Sequence, residues 1–124
     1  MPARIMVIDD EPLIARTIER ILDDYEVEIF TSGAAAVQRI RDGARFDLIL
    51  CDLTMPGVSG MDVHDQLAQI APDQRARMAF MSGGAFTPRA RDFMAATALP
   101  HIEKPFDVTT LRDAVERLLA RPMS

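Results

Sequence analysis

Arg4-Ile5-Met6-Val7-Ile8-Asp9-Asp10-Glu11-Pro12 changes character twice within nine residues: an unbroken apolar run stops at Ile8, three acids follow, and a proline comes next. A strand with one wet face alternates apolar and polar side chains. An unbroken run is what a strand covered on both faces requires, and such strands belong to parallel sheets flanked by helices. Pro12 suits the first position of a helix, where its missing N–H is no loss. The stretch Leu48-Ile49-Leu50-Cys51-Asp52 repeats the same grammar, an apolar run closed by an acid.

Working outward, residues 27–30, 78–81 and 100–103 form three more short apolar runs, and the segments between runs carry helical spacing. Leu13, Ile14, Ile18, Ile21 and Leu22 follow the first run; Leu111, Val115, Leu118 and Leu119 follow the last. Thr87-Pro88 and Asp107 supply start signals for the fourth and fifth helices. The alternation predicts an α/β fold: a doubly wound five-stranded parallel sheet with flavodoxin-like strand order 2-1-3-4-5 and five helices, in one domain over residues 1–124.

Composition narrows the function. With 124 residues, 48% hydrophobic, the chain can bury one core without staples. Nineteen acids against fourteen bases leave a charge of −5, which speaks against direct nucleic-acid binding. Cys51 stands alone among apolar neighbours and reads as a buried structural thiol, in keeping with a reducing compartment. No apolar stretch has the length of a signal or membrane segment, so no membrane insertion and a cytoplasmic location are expected. Thirteen of the fourteen cations are Arg; the one Lys, Lys104, suggests a site that needs a compact ammonium, with chance as the other reading.

In a doubly wound sheet the functional crevice lies beyond the carboxyl ends of the strands. The residues there are Asp9-Asp10-Glu11, Thr31-Ser32, Asp52, Ser82-Gly83-Gly84 and Lys104-Pro105. The strand order makes the first and third strands neighbours, which brings Asp9, Asp10 and Asp52 together. Two carboxylates about 4 Å apart repel by roughly 4 kcal/mol at an effective dielectric near 20, so the cluster calls for a cation. Oxygen-only ligands favour Mg²⁺. Helix capping is the competing reading for Asp9 and Asp10, and it accounts for one acid rather than three. Ser82 and Lys104 would complete a space suited to a phosphoryl group, with Asp52 as the nucleophile.

Ile-Asp-Asp-Glu, Leu-Cys-Asp-Leu-Thr-Met-Pro-Gly-Val-Ser-Gly, Met-Ser-Gly-Gly and Glu-Lys-Pro-Phe, in this order, resemble the two-component response-regulator receiver family over the entire chain. The resemblance implies that Asp52 is the phosphoacceptor, Asp9 and Asp10 the metal-binding acidic pair, Ser82 the switch hydroxyl and Lys104 the phosphate-pairing lysine. It also implies that Thr54 lends its backbone carbonyl to Mg²⁺ and that Lys104-Pro105 is a cis peptide. The partners implied are a sensor histidine kinase or phosphotransfer domain and an unknown downstream protein. The activity implied is self-phosphorylation and slow self-dephosphorylation, not turnover of a separate substrate.

Two positions depart from the family pattern. Ser82 stands where Thr is commoner and keeps the hydroxyl. His101 stands where the family usually carries a Tyr or Phe that rotates on activation; it reads either as a switch residue or as a surface histidine on an edge strand. Met55, Met61, Met78, Met81 and Met94 read as packing, His64 as solvated, and Arg75, Arg77, Arg89 and Arg91 as solvated faces, with docking a further use for the last two. Flavin binding fits poorly because Asp9, Asp10 and Glu11 would repel a flavin phosphate. A dehalogenase-type phosphatase would need Asp-x-Asp after the first strand. A phosphorylation-independent interaction module is the remaining alternative. Residues 81–91 resemble receivers attached to hybrid histidine kinases, so both a single-domain regulator and a piece of a larger protein are expected forms.

Overall fold

A computed structural model describes residues 2–83 and 87–121. In chain order the elements are β1 (Arg4–Ile8), α1 (Pro12–Ile21), β2 (Glu26–Phe30), α2 (Gly33–Arg41), β3 (Leu48–Asp52), α3 (Gly60–Ile70), α4 (Pro72–Arg75), β4 (Met78–Ser82), α5 (Pro88–Ala96), β5 (His101–Glu103) and α6 (Val108–Ala120). The strands are parallel in the order β2-β1-β3-β4-β5, as the apolar runs predict. Gly84, the middle of residues 81–91 and the tail 122–124 lie outside the described residues.

Among the described residues there are six helices rather than five, because Pro72 has no N–H to donate and divides what would be one element. The last bond of α3 runs from the Ala71 amide to the Leu67 carbonyl at 2.8 Å, and Pro72 then opens the single turn α4. That turn buries Gln74, whose Oε1 accepts from the Phe46 amide at 2.8 Å and whose Nε2 donates to the Phe46 carbonyl at 3.1 Å. It thereby pins the approach to β3. The expected fourth and fifth helices are α5 and α6. Their start signals are met: Thr87 Oγ1 accepts from the Ala90 amide at 3.1 Å, and an Asp107 carboxylate oxygen accepts from the Thr110 amide at 2.7 Å.

Alternation along each strand feeds two cores. Met6, Ile8, Ile49, Cys51, Met78 and Phe80 meet Ala36, Val37 and Ile40 of α2, Met61, Val63 and Leu67 of α3 and Ala90 of α5. Ile5, Val7, Leu48, Leu50, Ala79, Met81 and Ile102 meet Ala15 and Ile18 of α1 and Leu111, Ala114 and Val115 of α6. Each fully buried aliphatic side chain contributes on the order of 1.5–3 kcal/mol, so the sheet is clamped from both sides and its carboxyl edge becomes a rigid rim.

His64 is not solvated as its polarity suggests. Its side chain is 18% exposed and its ring meets Phe93 edge-on with centroids 4.9 Å apart, while Phe93 meets Phe80 at 5.1 Å. Helix α3 turns this residue toward α5, and aromatic packing outweighs hydration of one imidazole. Arg89 reaches from α5 to Asp62 at 2.8 Å, and Arg75 and Arg77 are half-buried rather than fully solvated. All of Met55, Met61, Met78 and Met81 are buried in the cores, and Met94 packs against one of them.

Candidate functional site

Four strand ends supply the site. Asp9 follows β1, Asp52 closes β3, Ser82 closes β4 and Lys104 follows β5. Pairing of Ile8 with Cys51 sets the ends of β1 and β3 level, and pairing of Asp52 with Met81 does the same for β3 and β4. The turn after β3 folds back tightly: the Gly60 amide donates to the Leu53 carbonyl at 3.0 Å, and a Cβ on Gly60 would collide with the Asp52 carbonyl oxygen. Only glycine permits that approach. Ser59 and Asp62 form a capping box that starts α3 directly behind it.

Asp9, Asp10 and Asp52 each offer a carboxylate oxygen within 4.8 Å of the others. Asp9 is fully buried and Asp52 nearly so. Capping does not explain them, since the N-cap of α1 is Glu11 with no side-chain cap bond. Asp9 Oδ1 instead accepts from the Glu11 amide at 3.0 Å. Lys104 Nζ donates to Asp9 Oδ2 at 2.8 Å and stands 3.5 Å from Asp52 Oδ2. The ammonium thus favours Asp9, not the expected nucleophile. Thr54 is tied to the cluster through its backbone N–H, which hydrogen-bonds the Asp52 carboxylate.

One ammonium against three carboxylates leaves the cluster short of positive charge. Burial pushes the Asp52 carboxyl up to about 6; Lys104 opposes the rise, while Asp9 and Asp10 add to it. Burial also pulls on Lys104, but its hydrogen bond to Asp9 and the field of both acids outweigh this and hold its pKa above the ordinary lysine value. The Cys51 thiol next to Asp52 is pushed strongly up by burial, then by Asp52 and Asp9, so it stays an inert thiol. A hard cation matches a donor set made only of oxygens, so the residues fit Mg²⁺.

Ser82 is buried and its Oγ lies 2.6 Å from His101 Nε2. Sequence reasoning named both residues without connecting them. Lys104-Pro105 is cis, as the resemblance implies. Beside Lys104, a groove of about 370 Å³ lined by Ile14, Thr17, Ile18, Gly83, Pro105 and Phe106 opens at the site, and Leu13 on the same helix is 78% exposed. The sequence did hold a signal for it: α1 carries more apolar residues than one core-facing stripe needs.

A family model for the response regulator receiver domain matches residues 5–116. This chain belongs to that family. The receiver is 26% identical over 121 residues to sporulation initiation phosphotransferase F of Bacillus subtilis, covering 96% of this chain and 95% of that protein. It is 32% identical over 119 residues to the DNA-binding transcriptional regulator NtrC of Azospirillum brasilense, covering 94% of this chain but 24% of that protein. The solved receiver domain of a signal transduction histidine kinase from Syntrophus aciditrophicus superposes with a TM-score of 0.82 at 28% identity, covering 98% and 96% of the two chains. Receivers work in two-component signalling with histidine kinases or phosphotransfer proteins, and typically bind Mg²⁺ through an acidic pocket. No helix among the described residues is long and apolar enough to cross a membrane.

Proposed function

We propose that this receiver, one domain over residues 1–124, is a phosphoryl-accepting switch. The observation that carries the reading is the convergence of Asp9, Asp10, Asp52, Ser82 and Lys104 on one rim from four different strands. An Asp52 carboxylate oxygen attacks the phosphorus of a phosphohistidine; the O–P bond forms, the N–P bond breaks, and the imidazole leaves with the electron pair. Asp10, Asp52 and the Thr54 carbonyl would hold Mg²⁺, with Asp9 supporting from behind, and the bound ion supplies positive charge where the phosphoryl oxygens gather. Lys104 pairs with those oxygens as its ammonium swings from Asp9 toward Asp52, and Ser82 donates its hydroxyl proton to one of them. Water later hydrolyses the acyl phosphate slowly.

The donor is a sensor histidine kinase or phosphotransfer domain in the cytoplasm. It docks over the apolar groove between α1 and Phe106, which Lys104 also lines, with Leu13 exposed on the same helix. The output is altered binding of a downstream protein at the face of α5, β5 and α6. The reading of an interaction module that ignores its site is disfavoured, because acids, hydroxyl and ammonium stand together in usable geometry. Mass spectrometry after incubation with a small phosphodonor and Mg²⁺ tests the proposal: one acid-stable, base-labile phosphoryl group on Asp52, absent in Asp52→Asn. Label persisting in that variant would reassign the nucleophile.

A further inference from the structure

The single turn α4 carries three polar side chains, and two of them are engaged. Asp73 pairs with Arg45 at 3.3 Å, and Gln74 is held by both backbone groups of Phe46. Arg75 is the exception. Its Nε–H is sealed from solvent and has no acceptor among the described residues, although the residue as a whole is only half-buried. A buried donor in that state is costly, and more so when it belongs to a cation. The grip on Gln74 fixes the turn, so Arg75 is presented from a firm base.

Arg75 lines a groove of about 350 Å³ with His64 and Asp65 of α3 and Phe93, Ala96 and Thr97 at the end of α5. The groove lies before β4 in the chain, at the far end of that strand from Ser82 and the phosphoacceptor rim. Its charges are divided. Arg75 supplies a cation, and Asp65 an exposed carboxylate whose Oδ1 meets His64 Nδ1 at 3.0 Å and whose Oδ2 stands loosely beside Arg89 at 4.0 Å. Helix α5 ends here with the Thr97 amide on the Phe93 carbonyl, and the carbonyls beyond Phe93 have no intrahelical donor, which adds negative potential at the same end. A simple anion would be drawn by Arg75 and repelled by the rest; a simple cation would meet the reverse. A zwitterion meets each charge with its opposite.

We infer that this groove binds a small zwitterion of the α-amino-acid class, with its carboxylate on the Arg75 guanidinium, its ammonium toward Asp65 and the end of α5, and an apolar side chain against Phe93 and Ala96. The volume stands at the small end of ligand clefts, which suits one such molecule. The carboxylate gives Arg75 the acceptors it lacks, in the paired N–H···O geometry that favours arginine over lysine. Binding is non-covalent and uses no residue of the rim, so the inference stands apart from the phosphoryl switch.

L-leucine and L-phenylalanine serve as probes, read by the ¹⁵Nε–¹Hε signal of Arg75 and the amide shifts of residues 64, 65, 75 and 93–98. At least one probe should move these signals saturably. Its carboxamide, which lacks the carboxylate, and its N-acetyl derivative, which lacks the ammonium, should each bind about tenfold or more weakly, the worth of one charged hydrogen bond. Arg75→Gln should abolish the response, Arg75→Lys and Asp65→Asn should weaken it about tenfold, and all three should keep wild-type labelling at Asp52. Because the capped derivatives are tested on the wild-type protein, a variant that fails to fold leaves the inference decidable. An Arg75 signal unmoved by both probes at tens of millimolar, capped derivatives that bind as well as the parent, acetate or inorganic phosphate binding equally well, or an unchanged response in Arg75→Gln overturns it. Absence of labelling at Asp52 in the wild type overturns the phosphoacceptor reading and leaves this one standing.

Discussion

Lys104 hydrogen-bonds Asp9 at 2.8 Å while standing 3.5 Å from Asp52, so the ammonium of the resting receiver is held by an acid other than the proposed nucleophile. The carboxylate of Asp52 keeps the looser of the two contacts, and Lys104 stands within one short side-chain movement of it. Structure and reactivity are connected here by a preference of less than an ångström.

That preference makes Lys104 a test of shape against charge. Lys104→Arg keeps the cation but presents a wide fork between Asp9 and Asp52, so phosphorylation should persist while the amide shifts induced by beryllofluoride across residues 82–107 shrink. Lys104→Ala should impair both. In metal-free buffer at neutral pH it should also destabilise the domain by about 3 kcal/mol, since a buried carboxylate loses its partner. Thermal melting in EDTA checks this. Wild-type beryllofluoride shifts in Lys104→Ala would make Lys104 a bystander.

Asp52 titrates near pH 6 in the metal-free site, well above the unfolded value of about 4. Between those values the folded receiver binds a proton that the unfolded chain does not, so stability falls as pH rises through 6 and levels off above it. Asp52→Asn removes that dependence. In EDTA the variant should exceed wild type by up to about 3 kcal/mol above pH 7, with the gap closing below pH 4. Urea unfolding at several pH values measures it, and saturating Mg²⁺ should narrow the gap by binding only the folded wild type.

Asp10 is the half-buried member of the acidic cluster and is not engaged by Lys104. Asp10→Ala should therefore weaken Mg²⁺ binding more than about tenfold while leaving the fold intact. Calorimetry is the suitable measurement, because the chain has no Trp. Unchanged affinity would place the ion elsewhere.

Leu13 is 78% exposed on α1, the helix whose Ile14, Thr17 and Ile18 line the groove at Lys104. Leu13→Asp should slow phosphotransfer from the cognate protein donor about tenfold or more, the effect of taking one apolar side chain out of an interface, and leave labelling by a small phosphodonor unchanged. Equal slowing with both donors would point to damage at the site instead of weakened docking.

Strand positions were readable because burial on both faces writes itself as unbroken apolar runs; residues 4–8 match β1 at both ends, and β2, β3 and β4 differ by one residue at one end. The gathering of Asp9, Asp10 and Asp52 followed from strand order alone. Helix α4 was missed because Pro72 was not weighed as a break, and His64 was misread because helical phase decides which way one polar residue faces. The Lys104 to Asp9 contact depends on side-chain reach, which spacing does not encode. The Ser82 to His101 bond depends on cross-strand register, with Phe80 opposite His101, and no periodicity reports it.

Lys104 and Asp9 are 95 residues apart in sequence, one at the end of the last strand and the other at the end of the first. A chain growing from its amino end acquires the three acids long before the ammonium that offsets them. The contact that offsets the acids therefore joins the first strand end to the fifth, and it exists only where β5 lies beside β4.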